Sequence, residues 1–250
     1  QRDFAKTGEY AIIICVGFDQ ADALTKIAGE YSNQSFAIVD MVVSKSDVAS
    51  LLFKTNVWSF LAGVVAGMKT KTGKVGFIGG MNITLILDFF KGYEAGVKWA
   101  NSSVTVLTPV FVGGWADPDT AKELATTMVE DGKADAIFVA AGKRGLGALK
   151  AIHDKGIVGI GVDACQCYLY PEIKASMTKR VDVAVYEMIK AAVDKKFEGG
   201  IYNKGLKDKW VGCCRLPEEE SFWEAKFNFN HSTLETTVKN KVADARDKIA

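Results

Sequence analysis

The feature that most constrains the fold of this chain is the regular alternation of apolar runs with amphipathic segments. The runs are almost continuous in Val, Ile, Ala and Gly, as in "YAIIICVGF", "GKVGFIGG" and "ADAIFVAAG". Strands of this composition are typical of parallel sheets, because crossover helices bury both of their faces. We therefore predict an α/β protein whose parallel sheets are wound right-handedly.

The segment from residue 104 to residue 132 gives the most detailed local expectations. Pro109 lies inside the apolar run "VTVLTPVFV", so this strand is predicted to bend or to lie at an edge. Asp117 is the expected N-cap of the next helix, with Pro118 at its first position. That helix has an apolar stripe at helical spacing, formed by Ala121, Leu124, Ala125, Met128 and Val129.

The βα series begins again after the polar stretch "MKTKTGK" at residues 68–74, which predicts two similar lobes and a passage between them there. We expect an N-terminal lobe made of residues 1–73 and 177–200. A C-terminal lobe would contain residues 74–176 and 201–250.

Charge and hydropathy argue against nucleic acid or a membrane as the partner. Lys and Arg number 31 against 30 Asp and Glu, a net charge of +1, so the chain has no overall field that would attract an anionic surface. The apolar stretch "WSFLAGVVAG" is shorter than the roughly 18 residues that a membrane span requires.

Enzyme motifs are missing from the sequence. It has no dinucleotide-binding, Walker or nucleophile-elbow motif, and the glycines of "GKRGLG" are spaced in the reverse of the dinucleotide order. His153 and His231 have no partner in an obvious triad. A catalytic carboxylate pair formed by Asp40 and Asp163 stays an alternative, and no cofactor is predicted.

Five cysteines exclude a fully paired set of intramolecular disulfides. Cys15 lies in an apolar run and is predicted to be a buried small hydrophobic residue. The other four allow disulfides, or a zinc site if the two pairs meet in space, although adjoining pairs lack the usual ligand spacing. No metal site is therefore predicted.

A set of candidate binding residues follows the predicted strands. In open parallel sheets, ligands bind beyond the carboxyl ends of the strands. Two aromatic residues, two carboxylates and a glycine turn occupy these positions: Phe18, Asp40, Trp115, Gly142 and Asp163. Such a set suits a neutral, flat, hydroxyl-bearing ligand better than a phosphate.

Each of these residues has a binding interpretation and a structural one. The face of Trp115 could stack on a base, a contact worth about 1 to 3 kcal/mol, or the ring could pack on its own lobe. Asp163 could accept hydrogen bonds from vicinal hydroxyls, which Lys179 could also approach. Asp40 could accept from ring N–H groups of a base. Either aspartate could instead cap the turn that follows it.

Six segments, taken in order, resemble the basic membrane protein family, whose members are similar to the purine nucleoside receptor of ABC importers. They are "GKVGFIGG", "FFKGYEAGVKWAN", "WADPDTAKELA", "ADAIFVAAGKRGLGALKAIHDKG", "GIGVDACQ" and "ASMTKRVDVAVYEMI". The resemblance runs from about Tyr10 to Leu216. It implies a type I periplasmic-binding-protein fold with two Rossmann-like lobes that close on a nucleoside.

The resemblance also implies roles for the base-binding candidates. Asp40 in "FAIVD" resembles the aspartate with which the family reads the base. Trp115 stands where the family usually has a phenylalanine that stacks on the purine. Phe18 matches the aromatic residue of "VGF".

The ribose-binding candidates follow from the same resemblance. Asp163 in "GIGVD" and Lys179 in "SMTKRVD" resemble the aspartate and the lysine that bind the ribose. Gly142 in "AAGKRG" resembles the glycine turn that lines the pocket. The family's opening strand, the next helix and an "SFN"-type segment have no match here, so the N-terminal lobe is expected to lack its first strand.

These features together predict an extracytoplasmic solute receptor. It would bind adenosine, guanosine or inosine in an interlobe cleft and deliver the nucleoside to an ABC transporter permease. It would perform no covalent chemistry, bind no nucleic acid, and meet the membrane only through a lipid anchor absent from this sequence. The alternatives are a ligand-sensing regulatory protein on the same fold and a nucleoside-acting enzyme.

Overall fold

A computed structural model of the chain describes residues 1–115, 118–227 and 234–249. Asp117 and His231, which the sequence analysis singled out, lie outside these residues. Within them, no helix is long and apolar enough to cross a membrane.

Strands and helices alternate along the chain, as predicted. The strands are β1 (Ile13–Val16), β2 (Phe36–Val39), β3 (Val48–Phe53), β4 (Lys74–Gly79), β5 (Thr105–Val106), β6 (Val110–Phe111), β7 (Ala136–Ala140), β8 (Val158–Gly161), β9 (Ile173–Lys179), β10 (Gly200–Lys204) and β11 (Val211–Cys213). The helices are α1 (Arg2–Thr7), α2 (Ala21–Glu30), α3 (Thr55–Lys69), α4 (Thr84–Ala100), α5 (Asp119–Glu130), α6 (Gly145–Asp154), α7 (Val181–Val193), α8 (Pro217–Phe227) and α9 (Thr236–Ile249).

The chain forms two compact units. The first contains Gln1–Lys54 and Arg180–Trp210, and the second contains Thr55–Lys179 and Val211–Ala250. The chain therefore passes from one unit to the other after Lys54, after Lys179 and after Trp210.

Each unit is built on its own sheet, which confirms the prediction of parallel-sheet cores. The first unit has the strand order β1-β2-β3-β10, and all of its pairs are parallel. The second has the order β11-β9-β8-β7-β4-β5, with β6 also paired to β4; among the described strands of this sheet, only β11 runs antiparallel to its neighbour. All residues of β2 and β7 are buried, as expected of strands covered on both faces.

The units do not follow the lobe boundaries predicted from the sequence. The difference at residues 55–73 arises because α3 packs closely on α4, where glycines allow the two backbones to meet. A Cβ atom at Gly63 would lie 2.1 Å from the carbonyl oxygen of Tyr93, and one at Gly96 would lie 1.8 Å from that of Phe60. The helix pair therefore belongs to the second unit, although the local sequence does not reveal which sheet a helix covers.

The polar stretch at residues 68–74 is also part of the second unit and is not a passage between units. The hydroxyl of Thr70 donates to Asp135 at 2.5 Å, and the backbone N–H groups of Lys71 and Thr72 donate to the same carboxylate at 2.6 and 2.9 Å. Two further boundaries differ, because residues 177–179 complete β9 in the second sheet and residues 201–204 pair with β3 in the first.

The local expectations for residues 104–132 are mostly confirmed. The strand is broken around Pro109 into the short β5 and β6, both paired with β4. The predicted stripe of α5 faces the core of the second unit. Pro118 precedes the first helical residue, Asp119, so it occupies the N-cap position and not the first helical position. Cys15 is buried, as predicted.

Candidate functional site

Four of the predicted site residues come together at the carboxyl edge of the second sheet. Lys179 is the last residue of β9, Asp163 comes soon after the end of β8, and Gly142 comes soon after β7. Because β9, β8 and β7 are consecutive neighbours in the sheet, these residues form a row along its edge. Trp115, which follows β6, contacts the row at Gly142.

Asp163 and Lys179 form one polar pair within this row. The backbone N–H of Lys179 donates to the carbonyl oxygen of Asp163 at 2.9 Å, which aligns the two strand ends. The Nζ atom of Lys179 lies 3.5 Å from Oδ1 of Asp163. The lysine side chain is only 11% exposed, whereas that of the aspartate is 51% exposed. The pair therefore presents a hydrogen-bond acceptor and a hydrogen-bond donor side by side.

The backbone of Asp163 has a positive φ of 66°, and that of Asp40 has a nearly identical φ of 67°. Positive φ is uncommon for residues other than glycine, although aspartate tolerates it better than most. Each residue comes directly or soon after a buried strand, one in each unit. Such conformations cost of order 1–3 kcal/mol and cluster at functional sites. The shared conformation supports both aspartates as candidate site residues.

The turn that contains Asp163 is held by two residues that the sequence analysis missed. The side-chain carbonyl of Gln166 accepts the backbone N–H of Val162 at 2.9 Å. The backbone N–H of Gln166 in turn donates to the hydroxyl of Ser176 in β9 at 2.9 Å. A polar residue three positions after a strand-end aspartate was the available signal, but its buried partner in β9 was not predictable from the local sequence.

The indole of Trp115 is half-buried and packs on the glycine backbone of its own unit. A Cβ atom at Gly80 would lie 2.2 Å from Cζ3 of the ring, and one at Gly142 would lie 3.3 Å from Cε3. Only a residue without a side chain at Gly80 permits this contact. The ring of Trp115 thus packs on its own unit, as the structural interpretation of this residue expected. Because it is only half-buried, part of the ring also remains exposed.

Arg144, which the sequence analysis also missed, braces the loop that carries Trp115. Its guanidinium donates through Nη1 to the carbonyl oxygen of Val112 at 2.9 Å, and its backbone N–H donates to that of Trp115 at 3.3 Å. Its position two residues after Gly142 was the only feature of the sequence that could have identified Arg144.

Phe18 and Asp40 lie at the carboxyl edge of the first sheet. The strands before them, β1 and β2, are paired in parallel, so their ends lie side by side. The N–H of Gly17 donates to the carbonyl oxygen of Val39 at 3.3 Å, and that of Asp40 donates to Leu51 at 3.0 Å. Phe18 begins a short 3-10 turn and is 38% exposed. The structure therefore places an aromatic ring and a carboxylate near one edge.

Comparison with known proteins gives a consistent result. Residues 2–243 match the Bmp family, described as ABC transporter substrate-binding protein PnrA-like. The sequence is 35% identical to Basic membrane protein D of Borreliella burgdorferi, over 97% of this chain and 73% of that protein. It is 34% identical to Basic membrane protein A of the same species, over 84% of this chain and 64% of that protein.

Among solved structures, the chain resembles an ABC transporter system solute-binding protein from Aeropyrum pernix. The TM-score is 0.80 at 30% sequence identity, over 99% of this chain and 72% of that one. The chain thus spans 73% and 64% of the length of the two Borreliella burgdorferi relatives.

Proposed function

Because this chain belongs to the Bmp family of ABC transporter substrate-binding proteins, we propose that its small-molecule ligand is a purine nucleoside, which it delivers to the permease of an importer. The family and the fold are those of substrate-binding proteins and not of enzymes. Such proteins act outside the cytoplasm with a membrane transporter as partner. The family match therefore confirms the predicted extracytoplasmic location.

The observation that carries the nucleoside proposal is the pair formed by Asp163 and Lys179, with its 3.5 Å separation. Two vicinal hydroxyls of a ribose can donate to the carboxylate and accept from the ammonium group. Hydrogen bonds to charged groups are stronger than neutral ones and discriminate well against a ligand that lacks the hydroxyls. We assign the ribose to this pair.

The base is assigned to the aromatic and acidic groups. Trp115 would offer a face for stacking, and its support by Gly80 and Gly142 would reduce the entropy that the ring loses on binding. Asp40 would accept from ring N–H groups of the base, with Phe18 as a further aromatic contact. Gly142 would let the ligand approach the backbone closely.

Ligand binding would be coupled to closure of the two lobes. Contacts made only in the shut state shift a hinge equilibrium toward that state. Lys179 is the last residue of the second unit before the chain enters the first. A ligand that contacts Lys179 would therefore be bound next to the point where the chain passes from the second unit to the first.

Calorimetric titration of the full chain tests the proposal. The ligands are adenosine, guanosine, inosine, their free bases, ribose and the matching 2′,3′-dideoxynucleosides. We expect at least one nucleoside to bind, and its dideoxy analogue to bind about 5- to 150-fold more weakly, the equivalent of 1 to 3 kcal/mol. Binding of ribose or another sugar with no nucleoside binding would overturn the proposal, as would equal affinity for the dideoxy analogue.

A further inference from the structure

Three buried cysteines of the second unit converge in a way that the nucleoside site does not use. The Sγ atoms of Cys165, Cys167 and Cys214 all lie within 4.8 Å of one another, and each residue is 0% exposed. Cys165 and Cys167 lie in the loop after β8, whereas Cys214 follows β11. We call these three residues the thiol cluster.

The sheet itself brings the two segments of the thiol cluster together. The N–H of Cys214 donates to the carbonyl oxygen of Ser176 at 3.2 Å, as a continuation of the antiparallel pairing of β11 with β9. The hydroxyl of the same serine accepts the N–H of Gln166, which lies between the two other cysteines. The backbones of both segments are therefore anchored on one residue of a buried strand, which brings the cysteines together.

The sulfur spacing fits a shared ion better than a disulfide. A disulfide requires an S–S distance of about 2.05 Å, whereas the Sγ atoms of Cys167 and Cys214 are 3.5 Å apart. A metal ion with M–S bonds of about 2.3 Å holds its sulfurs about 3.8 to 4.0 Å apart in tetrahedral or trigonal geometry. A disulfide would also use only two of the three converging thiols.

The charges around the thiol cluster complement a metal–thiolate centre. Three thiolates around a divalent cation carry a net negative charge. Arg215, which follows Cys214 directly and is 4% exposed, donates to Glu220 at 3.1 Å, and Lys239 donates to the same carboxylate at 2.7 Å. Arg215 therefore places a buried positive charge beside the thiol cluster, and its partner Glu220 is shared with Lys239. Opposite charges in a buried site stabilise each other.

We propose that Cys165, Cys167 and Cys214 form a binding site for one thiophilic d10 metal ion, Zn²⁺ or Cu⁺. Soft thiolate ligands select these ions over Mg²⁺ and Ca²⁺. Zn²⁺ would complete its tetrahedron with a fourth donor, whereas Cu⁺ is satisfied by three sulfurs. The ion would tie the loop after β8, and with it the turn that carries Asp163, to β11.

The test is metal binding by the full chain, purified under reducing, metal-free conditions. We expect Zn²⁺ or Cu⁺ to bind at one ion per chain, Mg²⁺ not to bind, and the bound ion to raise the midpoint of thermal unfolding. Separate titrations with Zn²⁺ and with Cu⁺ show which of the two ions the site binds. Cys165→Ala and Cys214→Ala should each weaken binding at least tenfold.

Two buried cysteines outside the thiol cluster provide matched controls. Cys213→Ala, next to Cys214 in the chain, and Cys15→Ala in the first unit should both bind the ion as the unchanged chain does. X-ray absorption of the loaded, unmutated chain should show three sulfur ligands at about 2.3 Å, and this holds even if a variant fails to fold.

Three results would overturn the proposal. The first is a chain that, when purified in air without reductant and without added oxidant, is two hydrogen atoms lighter because a disulfide links Cys167 to Cys214. The second is the absence of stoichiometric binding. The third is binding that is equal in the cluster variants and the control variants.

Discussion

Nζ of Lys179 and Oδ1 of Asp163 lie 3.5 Å apart at the ends of two neighbouring parallel strands, β9 and β8. The lysine stem is almost entirely buried, so its ammonium group is held in position. A donor that is already held in position beside an acceptor costs little further ordering when a ligand with two hydroxyls binds.

Removal of either member of this pair should weaken nucleoside binding. Asp163→Asn and Lys179→Met are each expected to raise Kd about 5- to 150-fold, because each leaves a ribose hydroxyl without its charged partner. The double variant should lose less than the sum of the two, since both residues serve one ribose. Calorimetric titration measures these changes. Lys174→Met, at the other end of β9, is the control, and a change of less than twofold in both site variants would contradict the ribose assignment.

Replacement of Trp115 should separate its stacking role from its packing role. Trp115→Phe keeps a flat ring and should change nucleoside affinity little, whereas Trp115→Leu should raise Kd by the equivalent of about 1 to 3 kcal/mol. Quenching of tryptophan fluorescence by the nucleoside should also disappear in both variants. In contrast, Trp99→Leu, which removes a ring that packs beside Lys241, should leave affinity unchanged. Equal affinity in Trp115→Leu would show that the ring only packs on its own unit.

The glycine turn after β7 permits a matched test of contact against backbone strain. Gly142 and Gly156 have positive φ values of 55° and 62°, but a Cβ atom would meet Trp115 only at Gly142. Gly142→Ala and Gly156→Ala should both lower the free energy of unfolding by about 1 to 2 kcal/mol. Only Gly142→Ala should also weaken nucleoside binding, because its methyl group would lie 3.3 Å from Cε3 of Trp115 and would push the ring by a few tenths of an ångström. Equal binding by the two variants, measured by calorimetry beside urea unfolding, would argue against a role for this turn.

Asp135 should make the stability of the second unit depend on pH. Burial raises the pKa of its carboxyl, but the hydrogen bonds from Thr70, Lys71 and Thr72 more than offset this effect, so the pKa lies below its ordinary value. The folded state therefore favours the ionised form. The resulting stability is fully present above the ordinary pKa of about 3.9 and is lost as the pH falls through the lowered, folded-state value.

The variant Asp135→Asn should be less stable than the unchanged chain by about 1 to 2 kcal/mol at pH 7, because it loses charge-assisted hydrogen bonds. Urea unfolding at several pH values should show this difference shrinking below about pH 4. Asp131→Asn removes an exposed carboxylate nearby and serves as the control. A difference that stayed constant down to pH 2 would rule out the charged hydrogen bonds as its cause.

Much of the fold could be predicted from local patterns. Continuous apolar runs identified strands such as β2 and β7, because burial on both faces leaves no polar positions. The helical stripe of α5 and the interruption at Pro109 were equally local, since they depend on spacing and on a missing N–H. β10 was not predicted, because most of its residues are exposed and it has no continuous apolar run.

The lobe boundaries do not follow from local sequence patterns. Residues 55–73 were predicted to belong to the N-terminal lobe but lie in the second unit. The change in composition at residues 68–74 predicted a linker, but this stretch spans the end of α3, a short loop tied to Asp135 and the start of β4. Which sheet a helix covers depends on where its glycines meet another backbone, as Gly63 and Gly96 do. That information lies in residues distant in the chain.

The sequence by itself determined which residues follow strands and therefore which side chains reach the carboxyl edges of the sheets, because that depends only on the order of strands, turns and helices. Only the tertiary structure decided what those side chains meet. The order of the strands places Lys179 beside Asp163. The indole of Trp115 packs against Gly80, which has no side chain to block it. The antiparallel pairing of β11 with β9 brings Cys214 next to the cysteines of a distant loop. Contacts between segments far apart in the chain depend on packing, and packing leaves no periodic signal in either segment alone.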